Sequence, residues 1–167
     1  KGLGKRNKAP SALLAVRKAT PADLDAIDRI EAASFARDRF PRRNLSRLLR
    51  QPTATFLLAE SEKGALGYLL LLFRRGAKAA RLYSLAVLPE ARGKGVARGL
   101  VRAAVRCAIE RRCDRLRLEV RRSNRGAVRL YDDAGFLILE ELPGYYDDGE
   151  TALHMELRLD KPEDRRR

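Results

Sequence analysis

The sequence predicts an α/β fold: a mixed central sheet with helices on both faces. Three observations carry this. Apolar runs of strand length alternate with stretches of helical period along most of the chain. Helical stretches flank the strands on either side of a glycine loop, Arg92-Gly93-Lys94-Gly95-Val96-Ala97, as crossover connections do. The last two strand-like runs follow each other as a hairpin-like pair. With 167 residues, 45% of them hydrophobic, the chain suits one domain with a real core. That domain is expected over residues 13–159, between basic or charged tails at 1–12 and 160–167.

The elements follow in order. Residues 13–18 read as a first strand. Thr20 is placed to N-cap a helix, with Pro21 at its first position and Asp23 in its first turn. Leu24, Ile27, Ile30 and Glu31 follow at helical spacing, the apolar members facing the core. Residues 35–43 form a loop crowded with charge: Arg37, Asp38, Arg39, Arg42 and Arg43. A short helix over 44–50 ends ahead of Pro52. Residues 53–60 and 65–73 are two strands of a hairpin turning at Lys63-Gly64, and 74–79 is the next turn. Residues 82–88 are an apolar run short enough for one buried strand, stopped by Pro89.

A longer helix is predicted over 96–112. Val96, Leu100, Val101, Ala104, Val105 and Ala108 lie on one side and Arg98, Arg102 and Arg106 on the other. The arginine side is a solvated face, with an RNA-binding stripe as the other reading. Residues 115–120 alternate strictly, Leu116, Leu118 and Val120 against Arg115, Arg117 and Glu119. Ser123-Asn124 supplies capping chemistry for a helix over 125–134, which Gly135 closes. Strands over 136–142 and 151–159, joined by a loop over 143–150, end the domain.

Bulk composition narrows the function. A formal charge of +14, from 36 Lys and Arg against 22 Asp and Glu, favours an anionic cofactor and fits an RNA-rich setting such as the ribosome. Direct nucleic-acid binding is not expected as the main function, because the arginines are spread along helices. No apolar run reaches the ~18 residues of a membrane helix. No membrane partner is expected, and no secretory segment is read near the start. Two cysteines and one histidine make a disulfide framework or a structural zinc site unexpected, and no metal is assigned. Cys107 reads as a small buried hydrophobe. A reduced, cytoplasmic protein is expected.

Chemistry concentrates at the glycine loop. A strand, a tight glycine turn and a helix start aim several backbone N–H groups at one spot, where the helix dipole favours negative charge. Such a spot binds phosphate; the other reading is an ordinary turn with two convenient glycines. Arg98 stands where Gly-x-Gly-x-x-Gly needs its last glycine, and Lys94 is followed by Gly95 rather than Ser or Thr. Dinucleotide and Walker loops are therefore excluded. The stretch matches Arg/Gln-x-x-Gly-x-Gly/Ala and resembles the acetyl-CoA loop of the GCN5-related N-acetyltransferases. That resemblance covers about residues 13–159. It implies acetyl-CoA as donor and coenzyme A as product. The pyrophosphate would lie at Arg92, Gly93, Lys94, Gly95, Val96 and Ala97, and the pantetheine arm beside Leu85, Ala86 and Val87.

A second set of residues is similar to one branch of that family, the protein N-terminal acetyltransferases, including the enzyme that acetylates ribosomal protein S18. These are Leu118-Glu119-Val120-Arg121, Ser123-Asn124, Ala127, Leu130-Tyr131 and Gly135-Phe136, then Tyr145-Tyr146-Asp147-Asp148-Gly149, Ala152-Leu153 and Met155. The resemblance implies that Glu119 assists deprotonation of the amine and Tyr131 protonates the leaving thiolate. Asn124, and Tyr131 with it, would contact the cofactor. The acceptor would be a protein or peptide N-terminal α-amine, a ribosomal protein among the candidates. The chain departs from the S18-directed enzymes between its first two helices. They carry Pro-Trp-Ser there, whereas this chain has no tryptophan and reads Phe35-Ala36-Arg37-Asp38-Arg39-Phe40-Pro41.

The residues themselves allow these roles. A free α-amine titrates near ~8 and a lysine amine near ~10.4, so a base helps either at neutral pH. Glu119 points away from the apolar face of its strand, into a cleft or, in the other reading, into solvent beside Arg117 or Arg121. Tyr131 follows Asn124 by two helical turns, on nearly the same face; it also reads as a core tyrosine. Backbone N–H groups near residues 85–87 would polarise the carbonyl. His154 has apolar neighbours and reads as structural or as a support for a catalytic neighbour. Two further functions stay open: acetylation of a lysine side chain or small amine, and a basic RNA- or ribosome-binding module without catalysis. Oligomeric state is not legible.

Overall fold

The computed structural model describes residues 14–159. Its strands are β1 (Ala15–Lys18), β2 (Ala54–Ser61), β3 (Gly64–Leu72), β4 (Ala79–Val87), β5 (Arg115–Arg121), β6 (Leu137–Leu142) and β7 (Ala152–Arg158). Its helices are α1 (Leu24–Ser34), α2 (Arg42–Leu49), α3 (Val96–Glu110) and α4 (Arg125–Asp133). The expected tails, and Leu13 at the expected start of the first strand, lie outside the described residues.

The strands form one mixed sheet, β1-β2-β3-β4-β5-β7-β6, in which only β4 and β5 run parallel among the described residues. The order of strands and helices is the one predicted. Some boundaries move. The second helix starts at Arg42 rather than 44, because Pro41, at φ −58 and ψ 140, already occupies its N-cap. The central strand starts at Ala79, where the sequence suggested a turn, because Ala79, Ala80 and Arg81 pair with Arg115, Leu116 and Arg117. The long helix ends at Glu110 rather than 112, and Arg112 has turned to φ 60.

Helices cover both faces of the sheet. Tyr68 sends its hydroxyl to Glu31 of α1 at 2.9 Å. A Cβ on the preceding Gly67 would meet Val96 of α3 at 3.2 Å and the Ala86 carbonyl at 2.9 Å. Successive strand residues point to opposite faces, so α1 and α3 lie on opposite sides. Ile27, Ile30 and Leu45 fill one side; Leu100, Val101, Ala104 and Ala108 fill the other. Leu116, Leu118 and Val120 are buried, as their alternation predicted. Cys107 is buried too, and burial pushes its thiol up.

One polar group lies deep in this core. Glu31 is 1% exposed, and the Tyr68 hydroxyl that serves it also stands 3.0 Å from Ser84 Oγ. Burial pushes the Glu31 carboxyl up, with the Tyr68 hydrogen bond opposing. A buried carboxyl persists only where it is hydrogen-bonded, so this trio pins α1 across β3 and β4.

The feature that makes a site is the parting of β4 from β5. Their pairing stops at Arg81 and Arg117. β3 stays paired with β4 as far as Gly67 and Val87, but a bulge intervenes: Leu70 faces Ser84 and Leu71 faces Leu82, leaving Tyr83 unpaired. Bulges bend a strand and increase its twist. Beyond the bulge, β4 turns from β5, which stays with β7. The central strand is therefore less buried than its apolar run suggested, and Tyr83 is 45% exposed. Leu88 donates its N–H to the Leu66 carbonyl, on the β3 side, at 2.8 Å. Alternation then directs the backbone N–H groups of Leu85 and Val87 into the gap.

Candidate active site

The gap opens into a cleft of about 740 Å³, a size typical of ligand sites. β4 lines it with Leu85, Ala86 and Val87. The glycine loop and the start of α3 add Arg92, Gly93, Gly95, Val96 and Ala97, and α4 adds Asn124, Ala127 and Leu130. Ser34 and Phe35, at the end of α1, complete the wall. The cleft thus gathers most of the residues singled out for a cofactor. Lys94 and Tyr131 are not among those that line it.

The glycine loop has the form an anion needs. Gly95 is the N-cap of α3 in the left-handed region, at φ 82, and Gly93 lies at φ 74. No side chain caps this helix, whose first internal bond runs from the Gly99 N–H to the Gly95 carbonyl at 3.1 Å. The first-turn N–H groups remain available. A Cβ at Gly93 or Gly95 would meet no atom within 4 Å, so both glycines face open space. Arg92, Lys94 and Arg98 add positive charge around them. Arg92 bends back, its Nε donating to the Val87 carbonyl at 3.4 Å. A diphosphate fits this donor set.

The start of α4 differs. Asn124 is its N-cap, and its Oδ1 accepts the Ala127 N–H at 3.2 Å. Its amide NH2 therefore points elsewhere and could donate to a ligand in the cleft. Because Asn124 precedes the first helical turn, with φ −81 and ψ 74, the shared face expected with Tyr131 is not realised. Asn124 is exposed, whereas Tyr131 is buried and packs edge-on against Phe136 at 5.6 Å. Burial, and then Tyr146, pushes the Tyr131 phenol up, so it stays protonated through the neutral range.

Glu119 stands on β5 beyond the point where β4 leaves it. It does not pair with Arg117 or Arg121, which bind Glu156 at 2.7 Å and Asp148 and Glu150 at 2.8 and 2.9 Å. Its partners are Arg81, 2.8 Å from Oε2, and His154, whose Nδ1 lies 3.3 Å from Oε1. Arg81 also donates to the Tyr145 hydroxyl at 3.3 Å and lies over the Tyr83 ring, which packs on Phe40 at 5.6 Å. Arg121 reaches Asp38 at 3.3 Å and stacks on Tyr146 at 4.0 Å. The 35–41 segment is thus tied to the 143–150 loop through Phe40 and Asp38. Burial raises the Tyr146 phenol, Arg121 lowers it, and Glu119 acts on it as well. Tyr146 therefore stands within electrostatic reach of both Tyr131 and Glu119.

Sequence reasoning missed two residues here. In the sequence Arg81 is only the first residue of the central stretch; its contact with Glu119 depends on the parallel register of β4 and β5. Ser34 has no motif. Its Oγ is buried without a hydrogen-bond partner among the described residues, and Ser34 lines the cleft.

The chain belongs to the acetyltransferase (GNAT) family, whose sequence pattern matches residues 24–136. It is an N-acetyltransferase, and enzymes of this family use acetyl-CoA as the acetyl donor. It is 34% identical to a candidate ribosomal protein bS18-alanine N-acetyltransferase of Bacillus subtilis, over 84% of this chain and 93% of that one. It is 37% identical to N-alpha-acetyltransferase MAK3 of Arabidopsis thaliana over 78 residues, 47% of this chain and 41% of that relative. The match therefore spans less than half of the plant protein. The crystal structure of the ribosomal-protein-S18-alanine N-acetyltransferase from Escherichia coli has the same fold, with a TM-score of 0.80, 23% identity, and coverage of 89% of this chain and 95% of that one. Among the described residues, no helix is long and apolar enough to cross a membrane.

Proposed function

We propose that this protein, as one domain over residues 13–159, transfers the acetyl group of acetyl-CoA to the N-terminal α-amine of a cytoplasmic protein or peptide. The observation that carries this reading is the parting of β4 and β5 beyond Arg81 and Arg117. An uncapped glycine cradle lies along one side of the gap, and Glu119, beside the Tyr145–Tyr146 loop, stands on the other strand. The names of the Bacillus subtilis and Arabidopsis thaliana relatives favour an α-amine, and the former makes a ribosomal protein a candidate acceptor.

Acetyl-CoA supplies a thioester carbonyl open to attack by a neutral amine. Gly93, Gly95, Val96 and Ala97 hold its diphosphate through backbone N–H groups, with Arg92 and Lys94 adding charge. The Asn124 amide donates beside them. Leu85 and Val87 direct N–H groups into the gap, where they stabilise charge developing on the carbonyl oxygen. Glu119 draws the proton from the amine, directly or through water. Tyr131, kept protonated by burial, gives its proton to the departing sulfur.

Thiol release tests the reading. Peptides with a free N-terminus and no lysine should release coenzyme A from acetyl-CoA, and the same peptides with a blocked N-terminus should not. Equal release from both sets would overturn it.

A further inference from the structure

His154 and Glu119 are directly opposite each other in the register of β5 and β7, with Nδ1 3.3 Å from Oε1. Their side chains are only 16% and 17% exposed. The other oxygen of Glu119 is held by Arg81 at 2.8 Å. Oε1, which faces His154, is therefore the oxygen left to take a proton, and Glu119 must pass that proton on before the next turnover. The proton needs a second acceptor within reach, and the nearest titratable one is the imidazole.

We propose that His154 is a proton-relay residue for the acetyl transfer, receiving at Nδ1 the proton that Glu119 draws from the acceptor amine. The inference rests on the proposed role of Glu119. The amine N–H bond breaks as the proton reaches Oε1. The proton passes to Nδ1 of the Nε2–H imidazole, the imidazolium releases its Nε2 proton to water, and the carboxylate is restored as an anion beside Arg81; proton exchange of the imidazole with water then returns the Nε2–H form for the next turnover. No oxidant or further reactant is required.

The groups that face His154 suit this route. Glu119 flanks it on β5, and Glu140 lies opposite on β6. Along its own strand, Glu156 is already engaged by Arg117 at 2.7 Å. On β5, Arg121 is engaged by Asp148 and Glu150. Arg81 is the cation that touches Glu119, and it also carries the Tyr145 hydroxyl. On the loop side, Tyr146 stands within electrostatic reach of Glu119. The apolar neighbours that made His154 look structural in the sequence, Leu153 and Met155, are buried on the opposite face of β7.

The test compares wild type, His154→Gln, His154→Asn, Glu119→Gln and the Glu119→Gln/His154→Gln double variant, on whichever amine wild type acetylates, from pH 6.5 to 9.5. At pH 7 the His154 variants should lose about ten- to a hundredfold in kcat/KM. The deficit should close toward pH 9.5, where the amine is already neutral. Acetyl-CoA affinity and thermal midpoint should stay at wild-type values. The double variant should be no slower than Glu119→Gln alone, because the two groups act in series. His154 variants within twofold of wild type at pH 7 would overturn the relay, as would a deficit constant across pH or single losses that multiply in the double variant. A wild type that acetylates only lysine amines would contradict the proposed acceptor while leaving this comparison intact.

Discussion

Arg81 holds Glu119 by one carboxylate oxygen at 2.8 Å, at the point where the two strands that carry them separate. The last paired residues, Arg81 and Arg117, therefore fix where Glu119 emerges. Glu119→Gln removes the charge and keeps the shape. Turnover should fall about a hundredfold near pH 7, with acetyl-CoA affinity little changed, and the loss should shrink as pH rises toward the amine's own titration. Arg81 is 43% exposed, so losing the ion pair should cost stability no more than about 1 kcal/mol. Rates from pH 7 to 10 decide it; a flat deficit would assign Glu119 to structure.

Gly95 should be the most sensitive point of the cradle. Its φ of 82 is strained for any side chain, and its missing Cβ faces open space rather than protein. Gly95→Trp should therefore fold, with about 1–2 kcal/mol of backbone strain, yet lose acetyl-CoA binding. Calorimetry on the folded variant checks this, and unchanged affinity would remove the cradle from the account.

Tyr131→Phe keeps the ring against Phe136 and deletes only the hydroxyl. Turnover should fall roughly ten- to a thousandfold, with acetyl-CoA affinity near wild type. An acyl donor with a better leaving thiol should be less sensitive to the change. Wild-type turnover with acetyl-CoA would make Tyr131 a core residue and nothing more.

The same phenols set an alkaline limit on stability. Burial holds Tyr68 and Tyr131 above the ordinary phenol value in the folded chain. Their contribution is fully present below the unfolded value of ~10 and is lost as pH rises above it, because only the unfolded chain then releases the proton. Denaturation between pH 8 and 11 should show stability falling at the upper end. Tyr131→Phe should make that fall shallower; an unchanged slope would contradict the assigned burial effect.

Local chemistry made most of this fold legible. The alternation of Leu116, Leu118 and Val120, the cap at Asn124 and the glycine pair at 93 and 95 each act within a few residues, and the structure keeps all three. What escaped depends on register between distant segments. Glu31 reads as one more helical residue until Tyr68, from another strand, reaches it at 2.9 Å. The bulge at Tyr83, which opens the cleft, leaves no mark in an apolar run. Glu119 faces the way its strand period implied, yet its partners come from β4 and β7 rather than from its own neighbours.

The acceptor proposed for this enzyme is an α-amine. The most direct measurement is fragmentation mass spectrometry of one peptide carrying both a free N-terminus and an internal lysine, after reaction with acetyl-CoA. A single acetyl group is expected on the N-terminal residue, and none on the lysine even when the N-terminus is blocked. Acetyl-lysine in the free peptide, or lysine acetylation unaffected by the block, would contradict it.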